Sequence, residues 1–197
     1  GTTVLSFSDM LGNHRLFGVT GFQIDLKNSD YGLSYYYLPK RITYGAELFH
    51  TARFVYLPGA NQSELYRYTN VSGIVSASYP LNTYYRFQSS FTVMSVTGDN
   101  LDNPSIPSKN SVFVVPMLSF IHDNTLFGYT SPIQGTRYNF TVFGNPGLSN
   151  SRQSFYSFTW DYRKYFRFFY DNSFVFRFSG GYSGGANPQR FFLGGTD

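Results

Sequence analysis

The sequence predicts an all-β fold, an antiparallel up-and-down transmembrane β-barrel with about ten strands present. Three observations predict it. Apolar residues recur at every second position over long segments. Short and long connections alternate along the chain. Aromatics make up 21% of the residues and charged side chains only 13%, against roughly 25% charged in an ordinary soluble domain. Residues i and i+2 share one face of a strand, so strict alternation gives each strand one apolar and one polar face.

The elements follow in order. The first strand is expected at 2–9, with MLGN as a tight turn. A second follows at 14–26, where Phe22, Ile24 and Leu26 alternate with Gln23 and Asp25. After KNSD come strands at 31–38 and 42–57, joined by LPKR. The longer GANQSEL leads to 65–79, and PLN turns the chain into 83–98. There Tyr85, Phe87, Phe91 and Val93 alternate with Arg86, Gln88, Ser90 and Thr92. A loop rich in Asn, Pro and Ser precedes 111–122, and HDNTLF precedes 128–144, where Tyr138, Phe140 and Val142 oppose Arg137, Asn139 and Thr141. NPGLSNS leads to 153–168, FYDN to 173–184. An up-and-down meander puts its short turns at one end and its loops at the other.

A soluble β-sandwich also alternates, but its strands are typically ~5–6 residues and its apolar face is a core. Here several strands exceed ten residues and the apolar face is largely Phe and Tyr. Segments of about ten alternating residues are the mark of an outer-membrane barrel, whose lumen is polar. Arg86, Arg137, Asp161, Arg163 and Arg177 all fall on the polar phase and are expected to face the lumen. Rings bunch beside the short turns: Tyr35, Tyr36 and Tyr37; Tyr79, Tyr84 and Tyr85; Phe120, Phe127 and Tyr129; Tyr165, Phe166, Phe168, Phe169 and Tyr170. That bunching predicts the aromatic girdle of one membrane interface.

Other chemistry finds little support. There is no cysteine, hence no disulfide or thiol chemistry. No apolar stretch reaches the ~18 residues of a membrane helix. No signal peptide is visible at Gly1, so one was removed or the natural start lies upstream. Net charge is only +4, with the basic residues scattered, which argues against nucleic acid as a partner. His14, His50 and His122 share no metal-ligand spacing. The GGYSGG run at 180–185 is a bend or a close backbone approach rather than a phosphate loop. No nucleophile elbow occurs. No catalysis, cofactor or metal is expected. Asp161 and Arg163 form a candidate lumenal charge pair.

The two ends carry a resemblance. GGYSGGANPQRFFLGGTD resembles the end of a strand and the base of a long inward loop in the BamA and TamA superfamily of bacterial surface-antigen barrels. In that family a Phe-rich stretch and a Gly-Gly pair lead into an Arg-Gly-Phe or Arg-Gly-Tyr motif, and the loop folds into the lumen. Arg190, Phe191, Phe192, Leu193, Gly194 and Gly195 match the approach, and the chain stops before the Arg-Gly pair. GTTVLSFSDMLGNHRL is similar to the family's second strand and its tight periplasmic turn, and FSDMLGNH to barrels fused behind a TolB-like propeller.

The resemblance implies one barrel domain over 1–197, the second to eleventh strands of a sixteen-stranded barrel. It implies residence in the Gram-negative outer membrane, in contact with its lipid. It further implies a role in inserting or translocating other proteins, with client outer-membrane proteins and periplasmic or lipoprotein partners. A passive pore or transporter, or a membrane anchor for a propeller or enzyme domain, are the alternatives. The family's gate between first and last strands does not carry over, since neither strand is present.

Overall fold

Two strands with alternating faces pair only in a register that keeps both apolar sets on one side. That requirement organises the whole chain. The computed structural model describes residues 1–21, 25–58, 63–148, 153–169 and 172–191. Its elements are β1 (Thr2–Ser8), β2 (His14–Gly21), β3 (Asp30–Tyr37), β4 (Thr43–Pro58), β5 (Ser63–Pro80), β6 (Tyr85–Asn100), β7 (Lys109–Asp123), β8 (Leu126–Phe127), β9 (Pro132–Asn145), β10 (Phe155–Phe169) and β11 (Asn172–Gly184). They form an antiparallel up-and-down sheet in the order β1-β2-β3-β4-β5-β6-β7-β9-β10-β11, with β8 paired to β9. No helix occurs among the described residues.

The ten long strands fall where the alternation predicts them, and three details differ. The second strand ends at Gly21 instead of 26. Residues 22–24 lie outside the described set, and Asp25 to Asn28 form a turn in which the Asp25 carboxylate accepts from the Asn28 backbone N–H at 2.9 Å. The strand expected at 128–144 starts at Pro132 because a turn closes from Gly128 N–H to Ser131 O, 2.8 Å. The two-residue β8 is the extra element. The sheet is not closed into a barrel: among the described residues β1 pairs only with β2 and β11 only with β10. Each terminal strand keeps one unpaired edge.

The chain divides into two units, residues 1–76, 91–114 and 147–152 in the first, and 77–90, 115–146 and 153–197 in the second. In the first unit, β1 to β4 keep a common phase. Phe7 opposes Leu16, Leu16 opposes Tyr35, and Tyr35 opposes Ala46. Gly12 makes the turn between β1 and β2 with φ +70°, a backbone state that glycine adopts without strain. Tyr31, Leu33, Tyr35 and Tyr37 are exposed on one face of β3. Tyr36 points to the other face and donates to Glu47 Oε1 at 2.6 Å, so it is not a girdle residue. On that same face Asp30 accepts two hydrogen bonds from Arg53 Nη1, at 2.9 and 2.8 Å.

In the second unit the register is legible row by row. Phe120 opposes Phe140, Phe140 opposes Trp160, and Trp160 opposes Gly180. His122, Tyr138, Tyr162 and Phe178 make the next row, and Leu118, Val142, Phe158 and Tyr182 another. Neighbouring rings lie 4.7 to 6.3 Å apart, as in His122–Tyr138 and Phe140–Phe158, the range in which aromatic pairs attract. The alternate rows are polar: Ser119, Thr141, Thr159 and Gly181 in one, Ile121, Asn139, Asp161 and Ser179 in another.

Burial runs opposite to that of a water-soluble sheet. On the aromatic face Phe140 is 38% exposed, Val142 54%, Phe176 53% and Phe178 59%. On the polar face Ser119, Thr141, Asn145 and Ser157 are buried. Ser119 and Thr141 hydroxyls meet at 2.8 Å, and Ser157 donates to Ser183 at 2.9 Å. Across the described residues the buried apolar set is only Ala52, Ile121 and Tyr165. Hydroxyls and amides are therefore buried on the polar face while most of the rings stay exposed.

Glycines in β11 allow this packing. Trp160 lies across Gly180, where a Cβ would collide with its ring. A cross-strand aromatic lying over a strand glycine covers the backbone that the glycine leaves bare. Gly180→Ala is expected to cost about 1–3 kcal/mol through overpacking and to shift the emission of Trp160, the single tryptophan. Urea unfolding followed by that emission measures both.

Candidate functional site: a charged row on the polar face

All five charged residues singled out in the sequence lie in the second unit and on its polar face. The register aligns them more tightly than their phase alone implied. Asp123 opposes Arg137, Arg137 opposes Arg163, and Arg163 opposes Arg177. Adjacent strands lie about 4.8 Å apart, so three guanidinium groups stand side by side on consecutive strands. Like charges directly opposite each other destabilise a sheet unless something neutralises them.

Asp161 supplies most of the neutralisation. It sits one polar row away from the arginines, opposite Asn139 and Ser179. Arg163 donates to it twice, Nε to Oδ1 at 2.7 Å and Nη2 to Oδ2 at 2.9 Å. Arg177 reaches the same Oδ2 from β11, with Nη2 at 2.6 Å and Nε at 3.1 Å. One carboxylate thus holds two guanidinium groups by charge-assisted bonds, roughly twice as strong as neutral ones. Among the described residues Arg137 meets Asp123 at 3.6 Å and no other carboxylate. Arg86 lines a pocket of about 130 Å³ with Asp123 and Ile121, and its charge acts on Asp123. Counting Arg86, Arg137, Arg163 and Arg177 against Asp123 and Asp161, 4 − 2, the row keeps an excess of two positive charges.

Asp123 is the member that the sequence reading did not single out, because it stands where HDNTLF begins to turn. Its phase was available: it is two residues from Ile121 and four from Ser119, both on the polar face. It also accepts from the Thr125 hydroxyl at 2.6 Å and the Thr125 N–H at 3.1 Å, which ends β7.

Of the inward-loop base, Arg190 and Phe191 are described, and Phe192, Leu193, Gly194 and Gly195 lie outside the described residues. After β11 the chain folds over the polar face of β10 and β11. Asn187 N–H donates to Ser154 O at 3.0 Å, and Gln189 N–H to Ser183 Oγ at 2.9 Å. The Phe191 ring then rests on Gly181, where an added Cβ would come within 3.0 Å of it. Gly181 belongs to the polar face, so the segment turns toward the same side as the charged row. Gly181→Val is expected to lift Phe191 and expose the bond after Arg190. Limited trypsin digestion should then cut there several-fold faster than in the unsubstituted protein.

The three histidines pack against tyrosine rings. His14 stacks on Tyr37 at 4.8 Å, His50 on Tyr31 at 4.4 Å, and His122 lies between Tyr85 and Tyr138 at 4.3 and 4.7 Å. Each is an aromatic-face packing residue. Among the described residues, no group of three or more His, Cys, Asp or Glu side chains is placed to hold a metal.

No family model matches the chain, and no curated protein sequence matches it. The chain is an antiparallel up-and-down sheet with one ring-covered face and one charged, hydroxyl-rich face.

Proposed function

We propose that this chain forms part of the wall of a transmembrane β-barrel of the BamA type in the bacterial outer membrane, and that the intact protein assists insertion or translocation of other proteins there. The observation that carries the reading is the inverted polarity of the sheet. A half-exposed ring leaves about 100 Å² uncovered, roughly 2.5 kcal/mol recovered on transfer into hydrocarbon. Rows of such rings are a liability in water and a match for lipid. The lengths support it too: β4 to β7 and β9 to β11 run from 13 to 18 residues, and a tilted membrane strand needs about 9–11.

The reading has a structural consequence. Unpaired backbone edges are not tolerated inside a bilayer. The free edges of β1 and β11 therefore need partners in the membrane, from each other or from further strands. The segment from Asn187 to Phe191, folded onto the polar face, supports the BamA type, since an inward loop would begin this way. The charged row favours a second reading, a pore whose polar wall is the path.

Depletion of the protein in its host separates the two. The insertion role predicts reduced levels of other outer-membrane proteins. Unchanged levels would refute it. Single-channel recording on the intact barrel tests the pore, and absence of conductance would count against it.

A further inference from the structure

We infer that the arginine row on the polar face is a binding site for a multiply charged oxyanion of the phosphate type. The inference depends on the reading above only in needing this face to be wetted. Three guanidinium groups on consecutive strands, Arg137, Arg163 and Arg177, present donors over about 10 Å, two strand spacings. A guanidinium is a planar fork matched to phosphate oxygens. The row carries four arginines against Asp123 and Asp161, and the two carboxylates are shared unevenly.

Asp161 is saturated by Arg163 and Arg177, while among the described residues Arg137 has one loose acidic partner, Asp123 at 3.6 Å. Arg137 and Arg177 are each about half exposed, at 51% and 56% of the side chain, so an incoming anion reaches them without opening the sheet. A wall that needed only a neutral, hydrated surface would not align like charges across three strands, since that register costs stability. An anion bridging Arg137 and Arg177 would complete the neutralisation. A triphosphate chain has the charge and roughly the span to do so.

Isothermal titration of the full-length protein, folded in detergent, with inorganic tripolyphosphate tests this. A parallel titration with a short-chain phosphatidic acid tells a lipid headgroup from a free phosphate as the source. Saturable binding of either probe at low ionic strength is the expected result. Arg137→Gln/Arg177→Gln should weaken it by tenfold or more, the loss of at least one charge-assisted bond. Arg15→Gln/Arg53→Gln removes the same charge outside the row and should leave it unchanged.

Asp161→Asn, which frees Arg163 and Arg177, should tighten it several-fold, an effect opposite in sign to that of misfolding. Folding of each variant is checked by circular dichroism. Absence of binding of both probes to the folded protein would overturn the inference. So would equal binding by the row variant and the control variant, which marks a nonspecific charge effect. Fractionation of the protein with the outer membrane is read separately, so the site can fail while the membrane reading stands.

Discussion

Phe140→Arg is expected to prevent the protein from folding stably into lipid. Phe140 sits at the middle of β9, with Phe120 on one side and Trp160 on the other, on the ring-covered face. An arginine facing mid-bilayer costs about 2–4 kcal/mol, a large share of the 5–15 kcal/mol that holds a typical domain together. The neighbouring Asn139→Arg puts the same charge one residue away on the polar face, beside Asp161. Its expected effect is within about 0.5 kcal/mol, as for a solvated surface change. Phe140→Leu controls for lost ring packing and should cost less than the arginine. Urea titration of vesicle-folded protein, followed by Trp160 emission, gives all three values. Equal effects at 139 and 140 would show that the faces are not distinguished by lipid.

Asp161→Asn should be the most damaging single change on the polar face. It removes the acceptor shared by Arg163 and Arg177 and leaves three arginines in register with Asp123 as their remaining counter-charge. A hydrogen bond to a charged group contributes about 1.5–3 kcal/mol; the exposed Arg177 pair adds little because solvent screens it, so the expected loss is about 2–3 kcal/mol. Raising salt should shrink the deficit, because freed surface charges repel less when screened. The double variant Asp161→Asn/Arg177→Gln should recover part of the loss, a coupling that a double-mutant cycle measures. If the single and double variants lose stability additively, the arginines are not held apart by Asp161.

How much of this was legible in the sequence follows from what a period of two can say. It marks strands and assigns each residue to one of two faces. That was enough for the ten long strands and for placing Arg86, Arg137, Asp161, Arg163 and Arg177 together. It says nothing of register, so the alignment of Arg137, Arg163 and Arg177 in one row was invisible. Register depends on where the turns close. Those are fixed by local details such as Asn124, whose side chain accepts from Thr136 N–H at 2.7 Å. There Gly135, with φ +115°, lets the backbone pass close to Asn124 O. Leu126 and Phe127 then pair back on Gln134 and Pro132 as β8.

Counting rings near turns misassigned Tyr36 for a related reason. Three consecutive tyrosines cannot share a face, and the middle one points to the polar side. Leu26 was placed in a strand because Phe22, Ile24 and Leu26 alternate, yet Asp25 and Asn28 bond locally and make a turn, a competition that short polar side chains often win. The GGYSGG run predicts a bend or a close approach; at Gly180 and Gly181 it is a close approach, by the rings of Trp160 and Phe191.

The central claim is that lipid covers one face of these strands and water the other. Spin labels placed singly at Phe158, Thr159, Trp160, Asp161 and Tyr162 of the vesicle-embedded protein test it most directly, through collision rates with oxygen and with a water-soluble nickel complex. Strict alternation is expected: 158, 160 and 162 reached from the hydrocarbon, 159 and 161 from the aqueous phase. Water-phase accessibility at all five positions, or none that alternates, would contradict it.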